Sequence, residues 1–223
     1  TGDALTPMEG DFDLTVDEAH TRFPAFRPAP DPAVVERAVA AVKASKKPVI
    51  VADRGAIIAG AGAALAALAE RIQAPVVATL DAKHIIVETH KLFRGTVGLY
   101  GRGCANHVVD EADLVIYAGS NTSDHTTANY VMPKQGTKII QIDIDPLEIG
   151  RNYAGTIGML SDVRAGLEAL AAKADAAKHD DWLAHTQKFV DEWRTEAEKA
   201  RASEAVPMRP ERLIRELNEV LPK

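Results

Sequence analysis

Cysteine is almost absent from this sequence, since Cys104 is the single thiol among 223 residues. One thiol excludes an internal disulfide and a zinc site built from several cysteines, and it is typical of a reducing compartment, so a cytoplasmic location is expected. The formal net charge is -6, which leaves no basic excess to neutralise a nucleic acid. We therefore expect neither a disulfide framework nor a nucleic-acid partner.

Long apolar runs and targeting segments are missing as well. The most apolar stretches, around residues 48–52 and 59–69, are too short or too rich in alanine to span a bilayer, so no membrane partner is expected. The chain opens with Thr1-Gly2-Asp3 and not with a basic region followed by an apolar core, so a signal peptide is not indicated. Because no initiator methionine is present, we interpret the sequence as a piece of a longer protein.

What the sequence does contain is a regular alternation of helical and strand patterns. Five apolar segments are predicted to be strands, at residues 48–52, 75–80, 114–118, 138–143 and 156–160. Helical patterns lie between them, at residues 32–42, 59–73 and 105–112, and another follows residue 161. Strands that are apolar throughout predict a parallel sheet covered on both faces. The predicted fold class is α/β, a doubly wound, Rossmann-like parallel sheet of five or six strands with helices on both faces.

Two flanking regions differ from this alternation. Residues 23–32 are dense in proline, which suits neither a helix nor a central strand, so residues 1–32 are predicted to form a linker. Residues 176–223 contain two amphipathic helical patterns, one around Trp182 and Phe189 and one that opens at Arg209, with no strand pattern after them. The α/β domain is therefore predicted at residues 33–175.

Ligand binding is expected where the predicted strands end, because open parallel sheets bind ligands at the carboxyl ends of their strands. Glycines there let a ligand approach the backbone, helix N-termini favour a pyrophosphate, and a carboxylate such as Asp143 can accept hydrogen bonds from ribose hydroxyls. A glycine-dense stretch at residues 95–103 could cradle the extended chain of a ligand, with Arg102 on a phosphate. The predicted cofactor-binding residues are Arg54, Gly55, Gly98, Leu99, Gly101, Arg102, Gly119, Asn121, Asp143, Ile144 and Asp162.

Taken by themselves, these residues leave alternatives open. The strand-end residues equally suit polar loops that hold no ligand, and the glycine-dense stretch equally suits a structural turn. The turn Asp53-Arg54-Gly55 lacks the Gly-x-Gly-x-x-Gly pattern, which disfavours an NAD-dependent dehydrogenase. Neither a nucleophile motif nor a metal-ligand spacing is found, so no catalytic and no metal-binding residue is predicted.

Five segments in register, spread over residues 28–173, form a more specific pattern. They are Pro48-Val49-Ile50-Val51-Ala52, Ala74-Pro75-Val76-Val77-Ala78-Thr79-Leu80, Gly95-x-x-Gly98-x-x-Gly101-x-x-x-Ala105-Asn106, Glu111-Ala112-Asp113-Leu114 and Ile142-Asp143-Ile144-Asp145-Pro146-x-Glu148-Ile149-Gly150-Arg151-Asn152. In this order they resemble the central domain of thiamine diphosphate-dependent enzymes, nearest to the acetolactate synthase-like branch. The resemblance implies that the Rossmann-like sheet is of the DHS-like NAD/FAD-binding type. The segment Arg209-Pro210-Glu211-Arg212-Leu213 resembles the lead-in to the C-terminal domain of that family.

The resemblance implies a parent enzyme with a pyrimidine-binding, a central and a pyrophosphate-binding domain. The activating glutamate of such enzymes lies in the first domain, and the Gly-Asp-Gly motif that holds Mg²⁺ and diphosphate lies in the third. The implied parent is a thiamine diphosphate- and Mg²⁺-dependent 2-oxo acid carboligase or decarboxylase, a transferase or lyase that forms a homodimer or homotetramer. Residues 1–32 and 176–223 would then link to missing N- and C-terminal domains, and the chain alone is expected to be inactive and to bind thiamine diphosphate poorly or not at all.

The resemblance also implies an optional nucleotide, FAD or ADP, at the strand ends. Flavin-binding relatives carry an arginine and an aromatic residue where this chain has Asn121 and Thr122, and glycine at the position of Asp53. The loss of a cationic donor disfavours FAD, so we expect ADP or no ligand. The competing hypothesis, from a different class, is a stand-alone regulatory module that binds an adenine nucleotide or FAD.

Overall fold

Six parallel strands form one sheet in a computed structural model that describes residues 10, 11, 13, 15–21 and 23–221. The strands are β1 (Pro48–Ala52), β2 (Val76–Ala78), β3 (Phe93–Thr96), β4 (Leu114–Ala118), β5 (Lys138–Asp143) and β6 (Ile157–Leu160). Every neighbouring pair is parallel, in the order β3-β2-β1-β4-β5-β6. The chain therefore runs outwards from β1 to β3, returns to the centre at β4 and runs outwards again on the other side.

Helices follow β1, β3 and β6 and cover the sheet. They are α1 (Pro32–Ala44), α2 (Arg54–Ile58), α3 (Gly62–Arg71), α4 (Gly103–Asp110), α5 (Val163–Lys173), α6 (Asp180–Arg201) and α7 (Pro210–Val220). Glu18–Thr21 and Leu80–Ala82 form short 3₁₀ turns. Within the described ranges, no helix combines the length and the apolar character that a membrane span requires.

The two faces of the sheet pack into separate hydrophobic cores. In β1, Ile50 and Ala52 belong to a core shared with α1, α3 and α5, whereas Val49 and Val51 belong to a core shared with α4 and α6. Because successive residues of a strand face opposite sides, a strand between two covered faces must be apolar throughout. The predicted doubly wound parallel sheet with helices on both faces is confirmed.

One edge strand was absent from the sequence prediction. β3 contains Arg94 and Gly95, and this composition does not give the apolar run that identified the other strands. All of its residues are nevertheless buried, because α4 and α6 pack against it. Tertiary packing, and not local composition, makes this segment a strand.

The prediction was also wrong in two local details. The strand expected to reach residue 80 ends at Ala78, and a 3₁₀ turn follows. The turn expected at residues 54–55 is the start of the short helix α2, which Asp53 caps, and the following helix begins at Gly62 and not at residue 59. Gly60, which has a left-handed backbone conformation with φ of +61°, separates the two helices. A prediction from hydrophobic periodicity does not detect such a short break between helices.

α6 packs on the sheet and completes the second core. Trp182 is buried, and its indole Nε1 donates a hydrogen bond to the carbonyl oxygen of Pro48 at 2.9 Å. Thr186 and Val190 are buried along the same face of the helix. The α/β unit thus includes contacts from a region predicted to be a linker, and the boundary at residue 175 stays a prediction.

Candidate functional site

The carboxyl ends of the central strands surround a cavity of about 620 Å³, which we call the strand-end crevice. It lies where the strand order reverses between β1 and β4, the position at which doubly wound sheets bind ligands. Six of the predicted cofactor-binding residues line it, namely Arg54, Gly55, Leu99, Gly119, Asn121 and Asp143. The fold therefore brings together residues that are up to 89 positions apart in the sequence.

Three other predicted residues lie near the crevice but not in its lining. Gly98 and Gly101 flank Leu99 in the loop between β3 and α4, and each packs against backbone atoms. A Cβ atom on Gly98 would lie 2.4 Å from the carbonyl oxygen of His125. Ile144 follows β5 and is 55% exposed. At the two glycines, close backbone contact is sufficient to explain the residue type.

The remaining two predicted residues make contacts elsewhere. Arg102 forms an ion pair with Glu88 at 2.9 Å, and its guanidinium lies 4.6 Å from the centre of the Trp193 ring. Asp162 caps the N-terminus of α5 and accepts a hydrogen bond from Arg27 Nη1 at 2.9 Å. Asp162 therefore holds the segment that enters the domain, and any ligand role of these two residues stays a prediction.

The buried carboxylate of Asp53 forms the polar centre of the crevice. Its Oδ1 accepts hydrogen bonds from the backbone N–H of Arg54 at 2.8 Å and from Thr79 Oγ1 at 2.6 Å. Its Oδ2 accepts from Ser120 Oγ at 2.7 Å and from Thr126 Oγ1 at 3.3 Å. The side chain thereby connects the end of β1 to α2, to the ends of β2 and β4, and to the loop after β4. Hydrogen bonds to a charged acceptor in a buried site are among the strong ones.

Sequence reasoning named Asp53 as a strand-end residue but did not select it for the site. One signal could have identified it. A hydroxyl residue stands at or near the end of each strand that neighbours β1, Thr79 after β2 and Ser120 after β4. Parallel strands end at the same edge of a sheet, so these hydroxyls can reach one carboxylate.

Two glycines form the floor of the crevice by direct backbone contact. The N–H of Gly55, in α2, donates to the carbonyl oxygen of Gly119 at 2.9 Å. A Cβ atom on Gly55 would lie 2.6 Å from the Cα of Gly119, and one on Gly119 would lie 2.5 Å from the Cα of Gly55. Gly119 also has a φ of +66°, which side-chain-bearing residues rarely adopt. Only glycine fits both requirements at residue 119.

The charge of the crevice is negative. Asp53, Asp81 and Asp143 line it together with one guanidinium, that of Arg54, so the lining has a formal charge of -2 when His125 is neutral. Burial raises the pKa of the Asp143 carboxyl, against hydrogen bonds from neighbouring backbone amides that lower it. Among the described residues, no group of three or more His, Cys, Asp or Glu side chains is arranged to hold a metal ion.

The sheet order and the crevice define a doubly wound domain of the nucleotide-binding type. Residues 35–170 match the family described as the central domain of thiamine pyrophosphate enzymes. The match covers more than half of the sequence, and the chain belongs to this family. The predicted membership is confirmed.

Relatives of known description agree with this membership. The chain is 34% identical over 210 residues to a probable acetolactate synthase large subunit of Methanocaldococcus jannaschii. The aligned region covers 91% of this chain and 34% of that protein. It is 32% identical over 203 residues to a glyoxylate carboligase of Escherichia coli O157:H7, with 87% of this chain and 34% of the relative covered. An acetolactate synthase of Arthrospira platensis is 35% identical over 156 residues, or 68% of this chain and 27% of the relative.

The chain thus spans about a third of the length of the curated relatives that it matches. It is a central domain of the acetolactate synthase-like kind, related to enzymes that depend on thiamine diphosphate. These comparisons give no support to the alternative of a stand-alone nucleotide-binding module.

Proposed function

We propose that the chain is the structural central domain of a thiamine diphosphate- and Mg²⁺-dependent 2-oxo acid carboligase or decarboxylase, a transferase or lyase, and that it is inactive by itself. The supporting observation is that acetolactate synthases and a glyoxylate carboligase align with almost the whole chain while being about three times as long. Among the described residues, no group of three or more His, Cys, Asp or Glu side chains is arranged to hold a metal ion. We therefore assign the Mg²⁺ and thiamine diphosphate sites to other domains of the parent, and no catalytic step is assigned to this chain.

The exposed face of α7 supports the proposal of a neighbouring C-terminal domain. Leu213, Ile214, Leu217 and Val220 lie along this helix at exposures of 39% to 77%. An apolar helix face of this kind normally packs on another surface. We assign residues 176–223 to the lead-in of the C-terminal domain and residues 1–32 to the linker from the N-terminal domain, within a parent that is a homodimer or homotetramer.

Calorimetric titration of this chain with thiamine diphosphate and Mg²⁺ tests the proposal. We expect no measurable binding, and micromolar binding would contradict it. A parallel assay follows CO₂ release from pyruvate and from glyoxylate. The full-length parent should release CO₂ from a 2-oxo acid only when thiamine diphosphate is present, whereas this chain should release none. A full-length parent that releases no CO₂ with the cofactor present would also count against the proposal.

For the strand-end crevice we propose an ADP site and not an FAD site. Asp143 would accept hydrogen bonds from ribose hydroxyls, and the exposed side chain of Arg54 at the rim would bind phosphate. ADP ends in its phosphates, which can therefore extend outwards to Arg54. The diphosphate of FAD lies within the molecule and would have to pass the buried Asp53 carboxylate, which would repel it.

Titration with ADP and FAD tests this assignment. ADP should bind weakly and FAD should not bind, and Asp143→Ala should weaken ADP binding further. Asp145→Ala is the matched control, because Asp145 stands two residues away and lies outside the crevice lining. FAD binding tighter than ADP binding, or equal ADP affinities for Asp143→Ala and the parent sequence, would contradict the site without affecting the central-domain proposal.

A further inference from the structure

A second cavity, of about 320 Å³, lies between β3, the start of α4 and the second half of α6. We call it the arginine cavity, because four arginine residues line it. Its charged lining residues are Arg94, Arg102, Arg194, Arg201, Glu88 and Glu198. Four cations against two carboxylates give it a formal charge of +2, the opposite sign to that of the strand-end crevice.

Arg94 places a positive charge in the interior beside this cavity. The residue is only 3% exposed. Its Nε donates to Thr186 Oγ1 at 3.0 Å, and its Nη2 donates to the carbonyl oxygen of Leu183 at 3.3 Å. Its Nη1 donates to the carbonyl oxygens of Lys91 and Phe93. All four acceptors are neutral, so hydrogen bonds hold the guanidinium in place without neutralising its charge.

The arrangement leaves one donor of Arg94 without an acceptor and its charge without a contacting carboxylate among the described residues. A guanidinium has five N–H groups, so four hydrogen bonds leave at least one N–H of Arg94 without an acceptor among the described residues. No carboxylate in the described part of the chain forms an ion pair with it. Burial lowers the pKa of the Arg94 guanidinium, with Asp191 opposing this effect and Arg194 adding to it. Buried charges are usually paired, and an anionic ligand would supply the missing partner.

Two of the other three arginines have partners that a ligand can displace. Arg194 lies 3.9 Å from Asp191, and Arg201 lies 3.5 Å from Glu198. Both pairs are solvent-exposed, and such pairs contribute about 0–1 kcal/mol each. Arg102 lies over the Trp193 ring, so the cavity also has an aromatic wall.

We propose that the arginine cavity binds the phosphate group of a small phosphorylated molecule. Arg194 and Arg201 make the direct contacts, and Arg94 supplies a fixed positive charge behind them. A planar guanidinium matches two phosphate oxygens at once, which favours phosphate over a simple halide. A volume of this size is at the lower end of ligand sites, so the expected ligand is a small phosphate ester and not a dinucleotide.

The two tryptophans of the chain allow a local test with inorganic phosphate as the probe. Trp193 lines the arginine cavity, whereas the indole of Trp182 is hydrogen-bonded to Pro48 in the second core. The two indole N–H signals are recorded by ¹⁵N NMR during phosphate titration at constant ionic strength, and Trp193→Phe assigns them. The Trp193 signal should shift saturably at millimolar phosphate while the Trp182 signal stays in place.

Variants separate a site from general ionic effects. Arg194→Gln combined with Arg201→Gln should weaken phosphate binding by roughly tenfold or more, the effect of about 1.4 kcal/mol. Arg151→Gln combined with Arg164→Gln is the matched control, because it removes two exposed arginines that pair with Glu148 and Glu168 outside this cavity. An unshifted Trp182 signal shows that each variant is folded.

Three results would overturn the proposal. They are a Trp193 shift that does not saturate, an equal loss of affinity in the control with Arg151→Gln and Arg164→Gln, and equal affinity for acetate and phosphate. The last would indicate a site that recognises any small anion.

Discussion

The strand-end crevice and the arginine cavity have opposite charge within one domain. In the crevice, the carboxylate of Asp53 accepts hydrogen bonds from the first amide of α2 and from the hydroxyls around it. The position where a nucleotide phosphate would be expected therefore already holds a negative group. In the arginine cavity, the buried guanidinium of Arg94 donates its hydrogen bonds to neutral oxygens of the described residues. The comparison teaches that the usual position at the strand ends does not by itself make an anion site. The buried side chains decide the sign of the charge.

The first way to break this comparison is to disturb the crevice floor, where the largest effect is expected. Gly119→Ala should lower the free energy of unfolding by about 3 kcal/mol or more, because the new methyl group meets the backbone of Gly55 and φ is positive. The measurement is urea denaturation. Gly60→Ala is the matched control, since Gly60 has a φ of +61° but open space around it. Equal losses in the two variants would show that the backbone contact contributes nothing.

Removing the central carboxylate should have the next largest effect. Asp53→Asn should cost about 1–3 kcal/mol of stability, because the hydroxyls of Thr79 and Ser120 lose a charged acceptor. It should also tighten ADP binding several-fold, because the crevice becomes less negative. Asp81→Asn makes the same charge change at an exposed lining residue, so it should affect ADP binding without the loss of stability. If neither variant binds ADP more tightly than the parent sequence, the electrostatic explanation is contradicted.

The crevice should also respond to pH through Asp143. Burial raises the pKa of this carboxyl above its ordinary value of 3.8, so the folded state holds the proton more tightly than the unfolded state does. The contribution of Asp143 to the free energy of unfolding therefore falls as the pH rises from 3.8 through the raised pKa. The free energy of unfolding of Asp143→Asn, minus that of the parent sequence, should therefore be larger at pH 7 than at pH 4. Urea denaturation at both pH values measures this difference. The same difference at both pH values would contradict the prediction.

The smallest effect is expected at a glycine beside the arginine cavity. Gly103 begins α4 and has no heavy atom within 4 Å of where its Cβ would lie. Gly103→Ala should therefore change the free energy of unfolding by about 1 kcal/mol or less, in the stabilising direction, because alanine favours a helix. Thermal denaturation by circular dichroism would measure it. A loss as large as that of Gly119→Ala would show that both cavities depend on close backbone packing.

The sequence predicted the strands that are buried on both faces, because such strands are apolar throughout. It failed at β3, where Arg94 interrupts the apolar pattern although the strand is fully buried. The sequence correctly predicted that Arg54, Gly119 and Asp143 lie at one edge of the sheet, since parallel strands end together. It did not anticipate the contacts of Arg102 and Asp162, whose partners are distant in the sequence or on another element.

The sequence by itself determined the α/β class, the central strands and the resemblance to a family, because hydrophobic period and local motifs are properties of neighbouring residues. Only the tertiary structure decided which polar groups meet. The hydrogen bonds of Asp53 and the neutral partners of Arg94 join residues up to 92 positions apart in the chain. Such contacts depend on how helices and strands pack, and the same packing sets the opposite charges of the two cavities.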